Sequence, residues 1–235
     1  MKRIAISQSN YIPWKGYFDL IDSVDEFVLY DDMQFTRRDW RNRNQIKTPG
    51  GLKWLTIPVE IKGKFHQRIN ETRVSDLGWP RAHWRALELN YRRSAHFDEF
   101  RDRVHELYFG CVSAGLSEIN LYFLQVINGW LGIRTPLRRS SDYRLEGERS
   151  ERLLSICRQA GATVYYSGPA ARDYLDTAVF ATAGVEVVWM DYSGYPTYRQ
   201  LHGEFQHGVS ILDLLFNEGV NSRKFMKSFP SLLTR

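Results

Sequence analysis

Strand-like and helix-like segments alternate at both ends of the chain, with a run of helical pattern between them. This predicts an α/β fold: a mainly parallel sheet with flanking helices and a central helical insertion. Three stretches of the 235 residues carry the expectation. The first thirty residues read as strand, loop, short helix and strand. From Trp79 to about Leu131 the apolar residues recur at helical spacing. From Ser150 onward helices and strands alternate again. The chain 1–235 is therefore read as a single α/β unit, with a helical block at about 79–133 inserted between two α/β portions.

Each element has a local reason. Arg3-Ile4-Ala5-Ile6 is a short β-rich run ended by polar residues. Tyr11 to Gly16 contains Pro13 and Gly16 and reads as a loop, and Tyr17 to Ile21 as the first turns of a helix. Glu26 to Tyr30 is a second apolar run, so the opening forms a βαβ unit that favours parallel pairing. Thr48-Pro49-Gly50-Gly51 is a turn signal between two strand-like runs, 43–47 and 52–59. Trp84, Leu87 and Tyr91 share a helical face, as do Phe97, Phe100, Val104, Leu107 and Tyr108. Asn120 to Leu131 is a further helix stopped by Gly132, and Thr135-Pro136-Leu137 starts a short extended segment. Ser150 is expected to cap a helix over 151–160 that ends at Gly161. Thr163 to Tyr166 and Val185 to Met190 read as strands, 173–183 as the helix between them, and the tail near 209–216 as a last short helix.

Composition excludes several classes. Hydrophobic content is 43% and charged content 25%, as in ordinary globular proteins. No run of about 18 apolar residues is present, and the Met-Lys-Arg opening lacks an apolar signal core, so a cytoplasmic location without a membrane span is expected. The 2 cysteines, Cys111 and Cys157, read as reduced core thiols. The histidines have no ligand spacing, and no metal site is expected. Between Gln34 and Arg73 ten basic residues face three acidic ones, a net +7, which leaves −2 for the rest. Such a surface suits an anionic small molecule; the acidic remainder counts against nucleic acid as the partner.

Candidate chemistry falls in three places. The loop after the first strand holds Gln8, Asn10, Tyr11, Trp14, Gly16 and Tyr17. Ligands of open α/β sheets bind beyond the carboxyl ends of strands, so this loop is either a binding loop or a turn packed with aromatics. Asp31 and Asp32, after the second strand, could orient or deprotonate an amine, or simply end the strand; Gln34 follows them. Arg37, Arg38, Trp40, Asn42, Arg43 and Asn44 offer guanidinium forks, amides and a stacking ring for a phosphorylated, planar ligand, or form a basic exposed turn. Gly168 lies in the exit loop of a later strand. His207 could serve as a base, and Ser210 as a contact or, more simply, as a helix cap. No Gly-x-Ser-x-Gly turn supports a serine hydrolase.

Several of these runs resemble the WbqC-like protein family. They are Ile6 to Phe18, Phe27 to Asp32 with Gln34-Phe35, Trp40-Arg41-Asn42-Arg43-Asn44, Trp54 to Pro58, Thr163 to Gly168, Phe180 with Ala183-Gly184-Val185, and Val209 to Leu215. Ser9 stands where the family usually has Pro. The resemblance implies a bacterial protein of surface-polysaccharide or O-antigen biosynthesis, and a glycyl-type aminoacyl or acyl transfer to a nucleotide-linked amino sugar. Most of the candidate residues above fall within these runs; Arg37, Arg38 and His207 lie outside them. ATP or an acyl-CoA are the candidate co-substrates. A looser likeness, Asn10-x-x-Pro13-x-x-Gly16-Tyr17, is to the phosphate loop of HUP-class nucleotidylyltransferases of the HIGH type, but without their histidines. A non-catalytic nucleotide-sugar-binding protein, or a partner of a glycosyltransferase, is the alternative from another class. The oligomeric state is not encoded in any of these motifs.

Overall fold

A computed structural model describes residues 1–229. Five parallel strands form the sheet: β1 (Arg3–Ser7), β2 (Glu26–Leu29), β5 (Leu137–Arg139), β6 (Val164–Ser167) and β7 (Glu186–Trp189). Their order is β5-β2-β1-β6-β7, with β1 central. The chain builds outward from β1 to one side and then returns to build on the other. A separate antiparallel hairpin joins β3 (Arg43–Thr48) and β4 (Gly51–Thr56). The helices are α1 (Lys15–Asp22), α2 (Trp79–Tyr91), α3 (Phe97–Phe109), α4 (Leu116–Leu131), α5 (Arg149–Gln159), α6 (Thr177–Thr182) and α7 (Ile211–Glu218). The fold is thus α/β with a parallel sheet and flanking helices, as the alternation predicts.

Strand periodicity sorts the helices between the two faces. Ala5, Phe27 and Leu29 point to one side and pack with Phe18, Phe100, Phe123 and Phe216 from α1, α3, α4 and α7. Ile4, Ile6 and Val28 point to the other and pack with Leu154, Cys157 and Phe180 from α5 and α6. The central strands are buried on both faces, as parallel strands require. Each fully buried side chain of this size contributes about 1.5–3 kcal/mol. Helix α4 ends on Gly132, whose left-handed φ of 66° closes the last turn.

Some boundaries differ from the sequence reading. Helix α4 starts at Leu116, because the polar Ser117 and Glu118 form its first turn. Ser150 lies inside α5 rather than capping it, and its hydroxyl accepts the Asp176 N–H at 2.9 Å. The helix expected over 173–183 is shorter. Asp176 caps it by accepting the Ala178 N–H at 3.0 Å, and a 3₁₀ turn, Pro169–Asp173, precedes it.

Between β7 and α7, the segment 190–210 has no regular structure and is held down by two buried lysines. Lys15 donates to the Pro196 carbonyl at 2.7 Å, among the rings of Tyr195, Tyr198 and Phe205. Burial lowers its pKa to about 8. Lys47 donates to Gln200 at 2.9 Å and to the Glu204 carbonyl. The buried Asp213 carboxylate accepts from Tyr91, Tyr198 and Gln200 at 2.7 to 2.9 Å.

Candidate functional site

Strand β2 ends at Leu29, and the next turn brings Asp31 into the space between β1, β5 and the start of α4. The carboxylate is 3% exposed. It accepts the Ser9 N–H at 2.8 Å and the Ser117 hydroxyl. Burial pushes its pKa up, and the hydrogen bonds from Ser117 and from the backbone and side chain of Ser9, with the Arg41 charge, pull against that push. Asp32 accepts from Asn70 at 3.1 Å and from the Ser140 hydroxyl, with Arg68 at 3.9 Å.

These groups border a cleft of about 310 Å³ at the carboxyl ends of β2 and β5. Leu29 and Asp31 form its floor side, with Ser117 and Glu118 from α4. Arg139, Ser140 and Ser141 come from the exit of β5, and Arg68, Asn70 and Glu71 from the segment that follows the hairpin. Arg139 lies 3.9 Å from Glu118. The lining is mainly polar and carries both signs of charge. Its size sits at the lower end of small-molecule sites, which run about 300–1,000 Å³.

Of the residues singled out in the sequence, Asp31 lines this cleft and Asp32 borders it. Asn10 is next to it: Arg41 donates to the Asn10 side chain, and Ser9 holds Asp31. The Gln8 carbonyl accepts the Tyr17 hydroxyl at 2.8 Å. Gln34, Arg37, Arg38, Trp40 and Arg43 lie on the outer surface around the hairpin. Gln34 donates to the Phe65 carbonyl at 2.7 Å and Arg37 to the Ile61 carbonyl at 3.2 Å.

The rest of the sequence candidates are placed in packing roles. Tyr11 is fully buried, its hydroxyl 2.8 Å from His83 Nδ1 and 2.7 Å from the Tyr108 hydroxyl. Asn42 and Asn44 are buried too; Asn42 donates to the Ile57 carbonyl beyond β4, and Asn44 donates to the carbonyls of Tyr11 and Ile12 and so pins the hairpin to the β1 loop. Gly16 has no Cβ because the Trp14 indole occupies that space, at 2.2 Å from where a Cβ would sit. Trp14 itself packs on Tyr192 and Tyr195. A Cβ at Gly168 would lie 4.0 Å from the Tyr192 hydroxyl. Ser210 is buried and caps α7 by accepting the Leu212 N–H at 3.2 Å. His207 is exposed against the Phe205 ring, and partial burial with the nearby Lys15 charge lowers its pKa.

Arg68, Asn70, Glu71, Ser117, Glu118, Arg139 and Ser140 were not foreseen. They are separated by up to 72 positions in the chain and meet only because β5 pairs with β2 and α4 starts beside β1. Arg139-Ser140, directly after a strand, was the one local signal. Among the described residues no group of three or more His, Cys, Asp or Glu side chains is arranged to hold a metal. No helix among them is long and apolar enough to cross a membrane.

An uncharacterized protein of Mycobacterium tuberculosis, Rv1507c, is 53% identical to the chain over 227 residues, covering 97% of this chain and 98% of that protein. No solved structure matches. The profile of the WbqC-like protein family matches residues 8–225, which take in four of the five sheet strands, β1 excepted, and all the cleft. The chain belongs to the WbqC-like protein family.

Proposed function

We propose that the cleft binds an amino sugar bearing an anionic group and that the protein transfers an acyl or aminoacyl group to its nitrogen. One observation carries the reading: a cavity of sugar size is lined by two guanidinium groups and by carboxylates, with the buried Asp31 in its wall. Arg68 and Arg139 take the anionic group, and Glu71 and Glu118 the ammonium. Asp31, its pKa raised by burial, accepts the proton the ammonium must lose. The free amine then attacks the carbonyl carbon of a thioester or acyl phosphate. The N–C bond forms, the bond from carbon to the leaving sulfur or oxygen breaks, and the thiolate or phosphate departs, taking the second proton that the nitrogen loses on becoming an amide. The O-antigen setting and the glycyl-type donor come from the family resemblance.

The test incubates the protein with nucleotide-linked amino sugars and either acyl-CoAs or amino acids with ATP, and reads product mass. Acylated sugar is expected, with the rate falling about 100-fold or more in Asp31→Asn while sugar affinity is kept. Loss of sugar binding in Arg139→Ala is expected as well. Full activity in Asp31→Asn and Asp32→Asn removes the carboxylates from the mechanism. A second reading, binding without turnover, is favoured by the engagement of Asp31 with Ser9 and Ser117. It predicts sugar affinity and no product with any donor.

A further inference from the structure

The hairpin carries an exposed aromatic and cationic surface that the cleft does not use. Trp40 and Trp54 are 41% and 37% exposed, with ring centroids 5.3 Å apart. The Arg43 guanidinium lies 3.9 Å from the centroid of the Trp54 ring and donates to the Arg38 carbonyl. Arg43 is thereby fixed as a lid on part of one ring, and indole surface still faces water. Two indoles left half in water forgo burial that ordinary packing would recover, so packing alone does not explain their place. Arg37 and Arg38 are exposed beside them. The only carboxylate within this loop, Asp39, is engaged by the Thr36 hydroxyl and the Trp40 N–H, both at 2.7 Å, and lies 3.7 Å from Arg41.

This surface is joined to the cleft through the backbone. The Tyr11 N–H donates to the Trp40 carbonyl at 3.0 Å, two residues from Ser9, which holds Asp31. On the other side Gln34 bridges to Arg68, a residue of the cleft wall.

We propose that Trp40, Trp54 and Arg43 form a stacking platform for a nucleobase, with Arg37 and Arg38 meeting the diphosphate of the same ligand. The occupant is the nucleoside diphosphate portion of a nucleotide-linked sugar. Aromatic faces accept any base by stacking, and guanidinium forks match phosphate oxygens bidentately. The assignment deepens the reading of the cleft as the sugar site: the cleft is too small for a whole nucleotide sugar, and the platform supplies the place for the remainder.

The test uses UDP, ADP, GDP and CDP, which carry no sugar, titrated by calorimetry. At least one is expected to bind and to quench tryptophan fluorescence. Trp54→Ala and Trp40→Ala are expected to weaken it about tenfold or more. Trp54→Phe keeps an aromatic face and is expected to restore most of the affinity, a recovery that loss of folding does not produce. Arg158→Ala, an exposed arginine on α5 at the opposite face of the sheet, is expected to leave affinity within roughly twofold. The proposal is overturned if none of the four diphosphates binds, or if both alanine variants bind as the wild type does. Binding of an oligothymidylate with no binding of the diphosphates overturns it too, and makes the surface one for single-stranded nucleic acid. Because the probes lack a sugar, failure here leaves the cleft reading standing, and failure of sugar binding leaves this one standing.

Discussion

Replacing His83 with Gln should remove a specific part of the acid sensitivity of the fold. His83 is 6% exposed, with Nε2 3.1 Å from the Thr56 carbonyl and Nδ1 2.8 Å from the Tyr11 hydroxyl. A carbonyl only accepts, so Nε2 carries the proton and Nδ1 accepts from Tyr11. The ring is neutral, and burial lowers its pKa to about 4 from an ordinary 6.5. The unfolded chain therefore takes up a proton near pH 6.5 that the folded chain refuses until about 4. Stability is full above the unfolded pKa and is lost as pH falls through this window. Linkage over these two values gives a loss of about 2 kcal/mol between about pH 7 and about pH 5. Gln can donate to Thr56 and accept from Tyr11 without titrating. Urea denaturation of both proteins at the two pH values is the assay. Wild type should lose about 2 kcal/mol more than His83→Gln, since all other titrating groups are shared. Equal losses would show that His83 is not held neutral and would break the assignment of Tyr11 to a buried hydrogen-bond chain.

Two further outcomes are expected. Gly16→Ala places a methyl 2.2 Å from the Trp14 ring, wedged in turn against Tyr192 and Tyr195. Overpacking of about 1–3 kcal/mol outweighs a helix-propensity gain of up to about 1, so a melting temperature lower by a few degrees is expected; an unchanged or raised value refutes the packing. Ser210→Ala should cost about 1 kcal/mol in urea denaturation through loss of the α7 cap while ligand affinity stays at the wild-type level. Lost ligand affinity at unchanged stability would make Ser210 a binding residue instead.

The fold was legible where local pattern and burial agree. The β1-α1-β2 unit, the hairpin turn and the three helices 79–131 follow from apolar spacing and turn residues, and the parallel sheet follows from their alternation. Polar residues at helix starts misled the reading: Ser150 resembles a cap, yet bonds across to Asp176. The site was half legible. Asp31 and Asp32 stood out as adjacent carboxylates after a strand, but the partners that give them meaning come from β5, α4 and the segment after the hairpin. The Trp-Arg-Asn-Arg-Asn run reads as one motif in sequence, and strand alternation splits it. Asn42 and Asn44 turn inward to bind backbone carbonyls, while Arg43 turns outward onto Trp54. Nothing in the linear order of residues reports that division until the strand register is known.

The central position of β1 has a consequence for how the chain is made. One edge of β1 is covered by β2, about twenty residues later, but the other waits for β6, beginning at Val164. A ribosome adding about 5–20 residues per second takes on the order of ten seconds to supply it. Throughout that interval the nascent chain has its helical block available, and Ile4 and Ile6 of an unpaired strand stand open to other chains. Yield during expression should therefore respond to temperature and chaperone supply through the first two-thirds of the chain, long before the native stability of the finished molecule has any bearing.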